Sequence, residues 1–282
     1  MSKLTTTADA VARLVRDGDR VSAACGLEAR IPFSAGHEII RQRKHDLTLV
    51  GPISDMLYDQ LIGAGCVQAL EVAWVGNVGA GLGHNFRRAA EASPSQITIT
   101  DYTNLTYATG LRAAAEGVPF GITHSLFGTD IASQRDAFRE IDDPFGGERI
   151  YAVRAIKVDV AIVVVQRADA HGNAHVWGNL GTTVESVRAA DRVIVLTEEL
   201  AEPEVIRREP NRTLIPGLLV DAVVLEPGAA HPSPVEGYRE RDHAAFETYH
   251  RATRTRDGFD AWRGEWIENL FDRAAYMQKL RA

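Results

Sequence analysis

The stretch VDVAIVVVQRADAHGNAHVWGN, residues 158–179, contains the most apolar strand of the chain and a polar turn directly after it. Residues 158–165 are rich in β-branched side chains and, apart from Asp159, lack the polar alternation of a half-exposed strand. A run of this kind is typical of a strand that is buried on both faces of a parallel sheet. The stretch therefore predicts a central strand of an α/β fold.

A group of polar residues follows this strand. It consists of Gln166, Arg167, Asp169, His171 and Asn173. Open α/β sheets bind ligands at the carboxyl ends of their strands, so this group is a candidate site. The alternative is an ordinary tight turn in which Gly172 and Asn173 adopt positive φ angles. The pattern allows both interpretations.

Strand and helix patterns alternate along the rest of the chain in units of about thirty residues. Strands are expected at 20–24, 47–50, 68–75, 97–100, 120–123, 192–196, 213–215 and 218–225, with helical patterns between most of them. Residues 133–147 are charged and contain a proline and two glycines, which predicts an exposed linker or flap. The alternation indicates a mostly parallel sheet with helices on its faces.

Composition narrows the classes of function. Of the 282 residues, 45% are hydrophobic and 24% charged, and the net charge of −7 is spread along the chain. No basic face for nucleic acid is expected, and no apolar run is long enough to span a membrane. The N-terminus lacks an apolar leader, so we expect a cytoplasmic protein. Cys25 and Cys66 predict neither a disulfide framework nor a metal site, and no base is assigned to Cys25 as a nucleophile.

A glycine-rich segment, GNVGAGLGHNFRRA at residues 76–89, precedes a predicted helix. Glycines at a helix N-terminus allow backbone amides to approach a phosphate. The dinucleotide fingerprint is incomplete, because His84 stands where its last glycine belongs, although Asp101 resembles its ribose-binding acid. A nicotinamide cofactor and a glycine loop that merely turns the chain both remain open. His171 and His175 lie four residues apart across a predicted turn, so no zinc site is expected.

Seven stretches together resemble the A-type (alpha) subunit of family I coenzyme A transferases, in particular the glutaconate CoA-transferase branch. In chain order they are DGDRVSAACGLEARIP (17–32), LIGAG (61–65), GLGHNFRRAAE (81–91), GLRAAAEGVPF (110–120), SLFGTDI (125–131), DVAIVVVQRADAHGNAHVWG (159–178) and IPGLLVDAVVLEPGAAHPSP (215–234). The resemblance covers nearly the whole chain. It implies a three-layer α/β fold with an open, mostly parallel sheet and helices on both faces. It also implies a single domain over residues 1–282, with a helical extension from about residue 238.

The resemblance implies a ping-pong transfer of CoA between an acyl-CoA and a small carboxylic acid, through a glutamyl-CoA thioester. Coenzyme A is then a substrate, and neither a tightly bound cofactor nor a metal is expected. The glutamate nucleophile normally belongs to a separate B-type (beta) subunit, in an S-E-N type motif that is absent here. Glu28, in GLEAR, is the nearest candidate in this chain. The expected enzyme is therefore a heterotetramer of A-type and B-type subunits. This chain alone is expected to be inactive.

The resemblance also implies candidate binding residues. Gly26 and Arg30 belong to a glycine-turn loop near the site, and Arg30 or Arg87 is best suited to pair with a free carboxylate. The acyl side is expected to be lined by Asn77, Asn85, Arg87, Thr103, Asn104, Gly128 and Thr129. Each of these residues has a structural capping or interface role as its alternative.

Two other functions remain open for the sequence. Related A-type chains serve hydrolases that open a ring in steroid-derived CoA thioesters, with a key carboxylate near the position of Asp101 to Asn104. Here that stretch is DYTN, with Asn104 where a glutamate is expected. The second alternative is a ligand-binding protein without enzyme activity on the same fold. With the resemblance in hand, the turn after the opening strand is expected to shape the edge of the core and the subunit boundary.

Overall fold

The structure, a computed structural model, describes residues 2–23 and 26–281. Its strands are β1 (Arg20–Ser22), β2 (Leu47–Ile53), β3 (Val67–Trp74), β4 (Gly76–Asn77), β5 (Gly81–Leu82), β6 (Thr98–Asp101), β7 (Phe120–Thr123), β8 (Phe138–Ile141), β9 (Ile150–Arg154), β10 (Val158–Ala168), β11 (Ala174–His175), β12 (Ala190–Leu200), β13 (Thr213–Ile215) and β14 (Ala222–Leu225). Its α-helices are α1 (Thr7–Leu14), α2 (Phe33–Arg41), α3 (Asp55–Gly63), α4 (His84–Ala90), α5 (Asn104–Ala115), α6 (Thr183–Ala189), α7 (Pro203–Arg208), α8 (His243–Ala252), α9 (Arg256–Arg263) and α10 (Arg273–Lys279). Short 3-10 helices span Asp130–Ser133, Pro210–Arg212 and Gly217–Leu219, and a π-helical turn spans Gly264–Glu268.

The main sheet is built around β10, as the opening stretch predicts. β10 pairs in parallel with β1 on one side and with β12 on the other. The parallel order continues from β1 through β2 and β3 to β6, and from β12 to β14. The short strands β11 and β13 add an antiparallel corner next to the end of β10. The prediction of an open, mostly parallel sheet is confirmed.

Both faces of β10 are buried, which explains its unbroken apolar sequence. Val160, Ile162 and Val164 pack into a core with helices α1, α2, α3, α8 and α9. Ala161, Val163 and Val165 pack into a second core with α5, α6 and strands β8 and β9. Burying each Val or Ile side chain stabilises the fold by about 1.5–3 kcal/mol. The sheet is thus the middle of three layers.

Residues 133–147, expected to form an exposed linker or flap, contain strand β8. This strand joins β7 and β9 in a separate antiparallel sheet of order β7-β9-β8. Phe138 is 1% exposed and its ring lies 5.3 Å from that of Tyr102, measured between centroids. The prediction is confirmed for residues 142–147, which are mostly exposed, and was wrong for residues 137–141, where the buried Phe138 anchors a strand. A segment with so few apolar residues has the sequence pattern of a loop.

The polar turn after β10 is held together by Asp169, whose side chain is buried. Its Oδ1 accepts hydrogen bonds from the backbone N–H groups of His171 at 2.9 Å and Asn173 at 3.0 Å. Its Oδ2 accepts a hydrogen bond from Nδ2 of Asn173 at 2.9 Å. Gly172 has a φ of 94°, as expected for the turn, whereas Asn173 does not have a positive φ. The tight-turn interpretation is therefore confirmed for Gly172 and was wrong for Asn173.

The C-terminal helices share the core of the main domain. Phe246 and Tyr249 of α8 and Phe259 and Trp262 of α9 are buried in the same core as α2 and α3. The hydroxyl of Tyr249 donates a hydrogen bond to Oδ2 of Asp59 on α3 at 2.6 Å. These contacts tie residues beyond 238 to the helices on one face of the sheet.

The buried His37 makes the fold sensitive to acid. Its side chain is 2% exposed, and burial, with smaller contributions from Arg273 and Arg41, holds the pKa of His37 well below its ordinary value of 6.5. The unfolded chain takes up this proton near pH 6.5 and the folded chain does not, so stability is lost as the pH falls below 6.5. We therefore expect the folded protein to be less stable at pH 5 than at pH 7.

We expect the His37→Gln variant to lose less stability on acidification, because glutamine does not titrate and keeps a hydrogen bond with Gln60 within reach. Urea unfolding at several pH values measures this difference. The variant His124→Gln, at an exposed position, should keep the wild-type pH dependence. Equal acid sensitivity in His37→Gln and the wild type would contradict the assignment.

Candidate functional site

The candidate site lies at the carboxyl edge of the main sheet, where the parallel strands end. The loop after β1, residues 26–31, the start of α3 after β2 and the end of β10 meet there because these strands run in parallel. The segment from Ser233 to Arg241 crosses the same edge, and its Pro234 carbonyl accepts a hydrogen bond from the Arg30 backbone N–H at 2.8 Å. Ligands of α/β proteins bind at this edge.

The loop 26–31 has a strained and closely packed backbone. Leu27 and Arg30 have φ angles of 65° and 56°, a region that residues other than glycine rarely occupy. A Cβ atom on Gly26 would lie 2.0 Å from the carbonyl oxygen of Asn179, so glycine is required there. Strain of this kind persists when the surrounding contacts hold it, and it is concentrated at functional sites.

Arg30 supplies those contacts. Its side chain is fully buried, and Nη1 donates to the carbonyl of Trp177 at 3.2 Å and to the carboxylate of Glu236. Nη2 donates to the carbonyl of Asn179. Arg30 was predicted as a partner for a free carboxylate, and that prediction was wrong because Glu236 already occupies its guanidinium. The residue instead fastens the loop to the segment after β11.

Gln166, the first polar residue after the apolar run, belongs to this same network. Its side chain is buried, and Nε2 donates to the Trp177 carbonyl at 3.0 Å. The sequence placed Gln166 at this edge correctly, whereas Asp169 and Asn173 form the turn described above. The site therefore takes one side chain from the end of β10.

Glu28 and Arg241 form the outer part of the site. The Glu28 side chain is 49% exposed, and its Oε2 lies 3.9 Å from Nη1 of Arg241. Nη2 of Arg241 donates to the buried Asp55 carboxylate at 2.7 Å. Burial raises the pKa of Asp55, and the hydrogen bond from Arg241 opposes that effect. Glu28 is thus the one acid of loop 26–31 and stands at its surface.

Two further acids lie in the last residues of β12 at this edge. Glu198 is 7% exposed and accepts hydrogen bonds from the Gly228 backbone N–H at 2.9 Å and from Nε of Arg239 at 3.2 Å. Glu199 accepts a hydrogen bond from the hydroxyl of Tyr238 at 2.6 Å, and this bond lowers the pKa of Glu199. Both carboxylates are held in place by the segment 226–241.

Asn77 and Asn85, predicted to line the acyl side, are buried beneath the C-terminal helices. Nδ2 of Asn77 donates to the carbonyl of Phe246 at 2.8 Å. Nδ2 of Asn85 donates to Oδ2 of Asp59 at 3.0 Å. Their exposed fractions are 1% and 3%, so in this chain both amides join helices and present no surface to a ligand.

The other predicted residues lie apart from loop 26–31. Arg87 is 53% exposed and pairs with Glu91 at 2.9 Å on the surface of α4. Thr103 caps α5 by accepting a hydrogen bond from the Thr106 N–H at 3.0 Å, and Asn104 is exposed at the start of that helix. Gly128, with a φ of 76°, and Thr129 lie in an exposed turn. Their role in binding stays a prediction.

The glycine-rich segment turns the chain into α4 through the hairpin of β4 and β5. A Cβ atom on Gly83 would lie 2.2 Å from Oδ1 of Asp59, and this same oxygen accepts a hydrogen bond from the Phe86 N–H at 2.8 Å. A carboxylate of the protein therefore occupies the start of α4, where a phosphate would bind. The geometry supports the interpretation of a closely packed turn.

Several other sequence predictions concern metals, thiols and membranes. Within residues 2–23 and 26–281, no cluster of three or more potential metal-ligating side chains occurs. Over the same described ranges, no helix has the length and apolarity needed to cross a bilayer. Cys25 lies outside the described residues. Cys66 is buried, and burial raises the pKa of its thiol to about 12.

Sequence reasoning missed Asp55, Asn179, Glu236 and Arg241. Asp55 follows β2 as Glu28 follows β1, so an acid directly after a buried strand was an available signal. Glu236 and Arg241 lie in a charged segment more than two hundred residues from loop 26–31 along the chain. No local pattern connects them to the loop, because their contacts depend on how the C-terminal segment crosses the sheet.

Comparison with known proteins agrees with this architecture. The Coenzyme A transferase family profile matches residues 4–226. The chain is 37% identical to the A-type subunit of the 3-oxoadipate CoA-transferase of Pseudomonas knackmussii, over 99% of both chains. It is 36% identical to the A-type subunit of the glutaconate CoA-transferase of Acidaminococcus fermentans, over 100% of this chain and 93% of that one.

A solved structure and a more distant relative are also similar to this chain. The crystal structure of glutaconate CoA-transferase from Acidaminococcus fermentans superposes with a TM-score of 0.95, at 35% identity, over 100% of this chain and 93% of that chain. A cholesterol ring-cleaving hydrolase subunit of Mycobacterium tuberculosis is 26% identical over 91% of this chain and 90% of its own length. The resemblance found in the sequence is confirmed, and the chain belongs to the coenzyme A transferase family as an A-type subunit.

Proposed function

We propose that this chain acts with a separate B-type subunit whose glutamate is the nucleophile of CoA transfer. One observation carries the proposal. The acids that lie inside the carboxyl edge, Asp55, Glu198 and Glu236, are each paired with an arginine of this chain. A carboxylate held by a guanidinium is a poor nucleophile, because the hydrogen bonds stabilise its charge. The described residues of this edge thus form one wall of the proposed site, and its interior acids already form ion pairs with arginines.

The reaction follows from the chemistry of carboxylates and thioesters. The glutamate carboxylate attacks the acyl-CoA carbonyl, forming an acyl-glutamyl anhydride and releasing the CoA thiolate. The thiolate attacks the glutamyl carbonyl, which gives a glutamyl-CoA thioester and frees the acyl carboxylate. The acceptor carboxylate then reverses both steps. In this scheme the rigid loop 26–31 positions the reacting groups against the B-type partner, as preorganised sites require.

The substrate class follows from the relatives and from one side chain. The relatives' names refer to 3-oxoadipate and glutaconate, which are both dicarboxylic acids. We infer a short dicarboxylic acid as the acyl group or acceptor here. Arg241 is 12% exposed; its Nη2 pairs with Asp55 at 2.7 Å, whereas Glu28 at 3.9 Å is the carboxylate near its Nη1. Arg241 replaces Arg30 as the proposed partner of the free carboxylate. A heterotetramer in the cytoplasm is the proposed setting.

We expect the purified single chain to show no CoA transfer and the complex with its B-type partner to be active. The measurement is CoA exchange between glutaconyl-CoA or 3-oxoadipyl-CoA and a panel of acids. After incubation with acyl-CoA, mass spectrometry of both subunits should find the CoA adduct on the B-type chain, and hydroxylamine should convert it to a hydroxamate.

The variant Glu28→Gln is the internal control for the position of the nucleophile. It should retain adduct formation in the complex, because Glu28 is not the nucleophile of the proposal. An adduct on Glu28, or transfer by the single chain, would contradict the proposal. Release of free CoA without an acceptor acid would favour the hydrolase alternative instead.

A further inference from the structure

A cavity of about 380 Å³ lies beside strands β1, β3 and β6 of the main sheet. Arg20 and Thr98, which are the first residues of β1 and β6, line it, and so does Lys157, which directly precedes β10. The segment around Gln134, between the 3-10 helix and β8, covers one side. The cavity therefore extends from the amino ends of these strands along β6 to Tyr102, and none of its lining residues belongs to loop 26–31.

Positive charge dominates the lining of this cavity. Its cations are Arg20, Arg135, Arg154 and Lys157, and its acids are Glu71 and Asp136. Glu71 is paired with Arg20 at 2.5 Å. For Arg135, Arg154 and Lys157, the described part of the chain shows no carboxylate within ion-pair distance. Three cations thus face a cavity without a counterion from the described residues, although the whole protein carries a net charge of −7.

A second groove of about 280 Å³ continues the first. It shares Arg135, Asp136 and Arg154 with the cavity and adds Arg139 of β8. The two spaces together form an elongated basic groove, defined by Arg20, Arg135, Arg139, Arg154 and Lys157. Its length and charge suit an anion with more than one negative group better than a single ion.

The charged residues of the groove surround Tyr102, which lines the cavity and is 5% exposed. Burial, and next Glu71, raise the pKa of its phenol, and Arg20 and Arg154 oppose that rise. Arg20 and Arg154, which come from different sheets, both line this cavity. Guanidinium groups in such an arrangement bind phosphate oxygens in pairs.

We propose that the basic groove binds a diphosphate group, either as inorganic pyrophosphate or as part of a nucleoside diphosphate. One phosphate lies in the cavity near Arg20 and Lys157, and the other lies near Arg139, with Arg135 and Arg154 between them. This site is separate from the proposed site of CoA transfer, because no residue of loop 26–31 or of the segment 233–241 lines it. Binding there is an additional property of the chain.

Isothermal titration calorimetry of the full chain with pyrophosphate, and separately with ADP, tests the proposal. We expect saturable binding that weakens as NaCl is added, since exposed charges are screened by salt. The variants Arg154→Gln and Lys157→Gln should each raise the Kd about tenfold or more, as expected for the loss of a charge-assisted hydrogen bond. Tighter binding of ADP than of pyrophosphate would identify a nucleotide as the source of the diphosphate.

Two further variants make the outcome decisive. Asp136→Asn removes a repulsive charge from the groove, so its Kd should fall. Arg112→Gln is the matched control, because Arg112 is 73% exposed on α5 and pairs with Glu116. Its Kd should equal that of the wild type. The absence of saturable binding at millimolar concentrations, or an equal Kd in Arg154→Gln and Arg112→Gln, would overturn the proposal.

Discussion

Substituting methionine for Arg30 is expected to lower the free energy of unfolding by about 3 kcal/mol and to abolish CoA transfer by the assembled enzyme. Methionine fills much of the space of the arginine stem but donates no hydrogen bond. The carbonyls of Trp177 and Asn179 and the carboxylate of Glu236 then lose their donor. Because the Glu236 side chain is 31% exposed, water recovers part of this cost, and we expect the lower end of the range for broken buried pairs.

Arg87→Met is the matched control for this prediction. Arg87 was the other arginine proposed for a carboxylate, but it is 53% exposed and pairs with Glu91 within one helix turn. Exposed pairs of this kind contribute at most about 0.5 kcal/mol. Urea unfolding of both variants measures the contrast in stability, and CoA exchange by the complex tests the activity of Arg30→Met. Comparable stability losses in the two variants would show that Arg30 does not fasten the loop.

The Gly26→Ala variant is expected to lose about 1–3 kcal/mol of stability and most of the transfer activity. Its Cβ atom would lie 2.0 Å from the Asn179 carbonyl oxygen and 2.7 Å from Nη2 of Arg30. Neither group can move freely, because the first is backbone and the second belongs to a guanidinium whose Nη2 bonds to Asn179 and whose Nη1 bonds to Glu236. The loop must therefore shift away from the segment after β11, and the wall of the proposed site shifts with it.

Gly79→Ala controls for the general effect of adding a methyl group to a glycine-rich segment. The nearest atom to a Cβ at Gly79 is Oδ1 of Asn77 at 3.7 Å, which is an ordinary contact distance. This variant should remain within about 0.5 kcal/mol of the wild type and keep its activity. If Gly26→Ala formed a complex with normal CoA exchange, loop 26–31 would have no part in the site.

Local patterns predicted much of the secondary structure. Thr6, directly before α1, caps that helix, since its Oγ1 accepts a hydrogen bond from the Asp9 N–H. The glycine turn at Gly172 also follows from nearby residues. The segment containing β8 escaped prediction, since its one buried anchor, Phe138, packs on Tyr102 from a distant part of the chain.

The candidate site was predicted less well than the fold. Gly26, Glu28 and Arg30 were placed in one loop, and the structure brings Gln166 to the same edge. The partners that decide what these residues do, such as Glu236 and Arg241, come from the C-terminal segment. Arg30 and Arg87 are chemically identical in the sequence, and only burial separates an internal anchor from a surface ion pair.

The sequence by itself determined the central strand, the mostly parallel sheet and the family, because hydrophobic periodicity and motif order are local properties of the chain. Tertiary structure alone decided which charged groups are occupied and which face open space. Whether a carboxylate or guanidinium has an ion-pair partner depends on which element packs against it. Arg30, for example, donates a hydrogen bond to Glu236 of the C-terminal segment. The same physical rule leaves Arg154 and Lys157 without a counterion among the described residues of the basic groove, where no sequence pattern marks them.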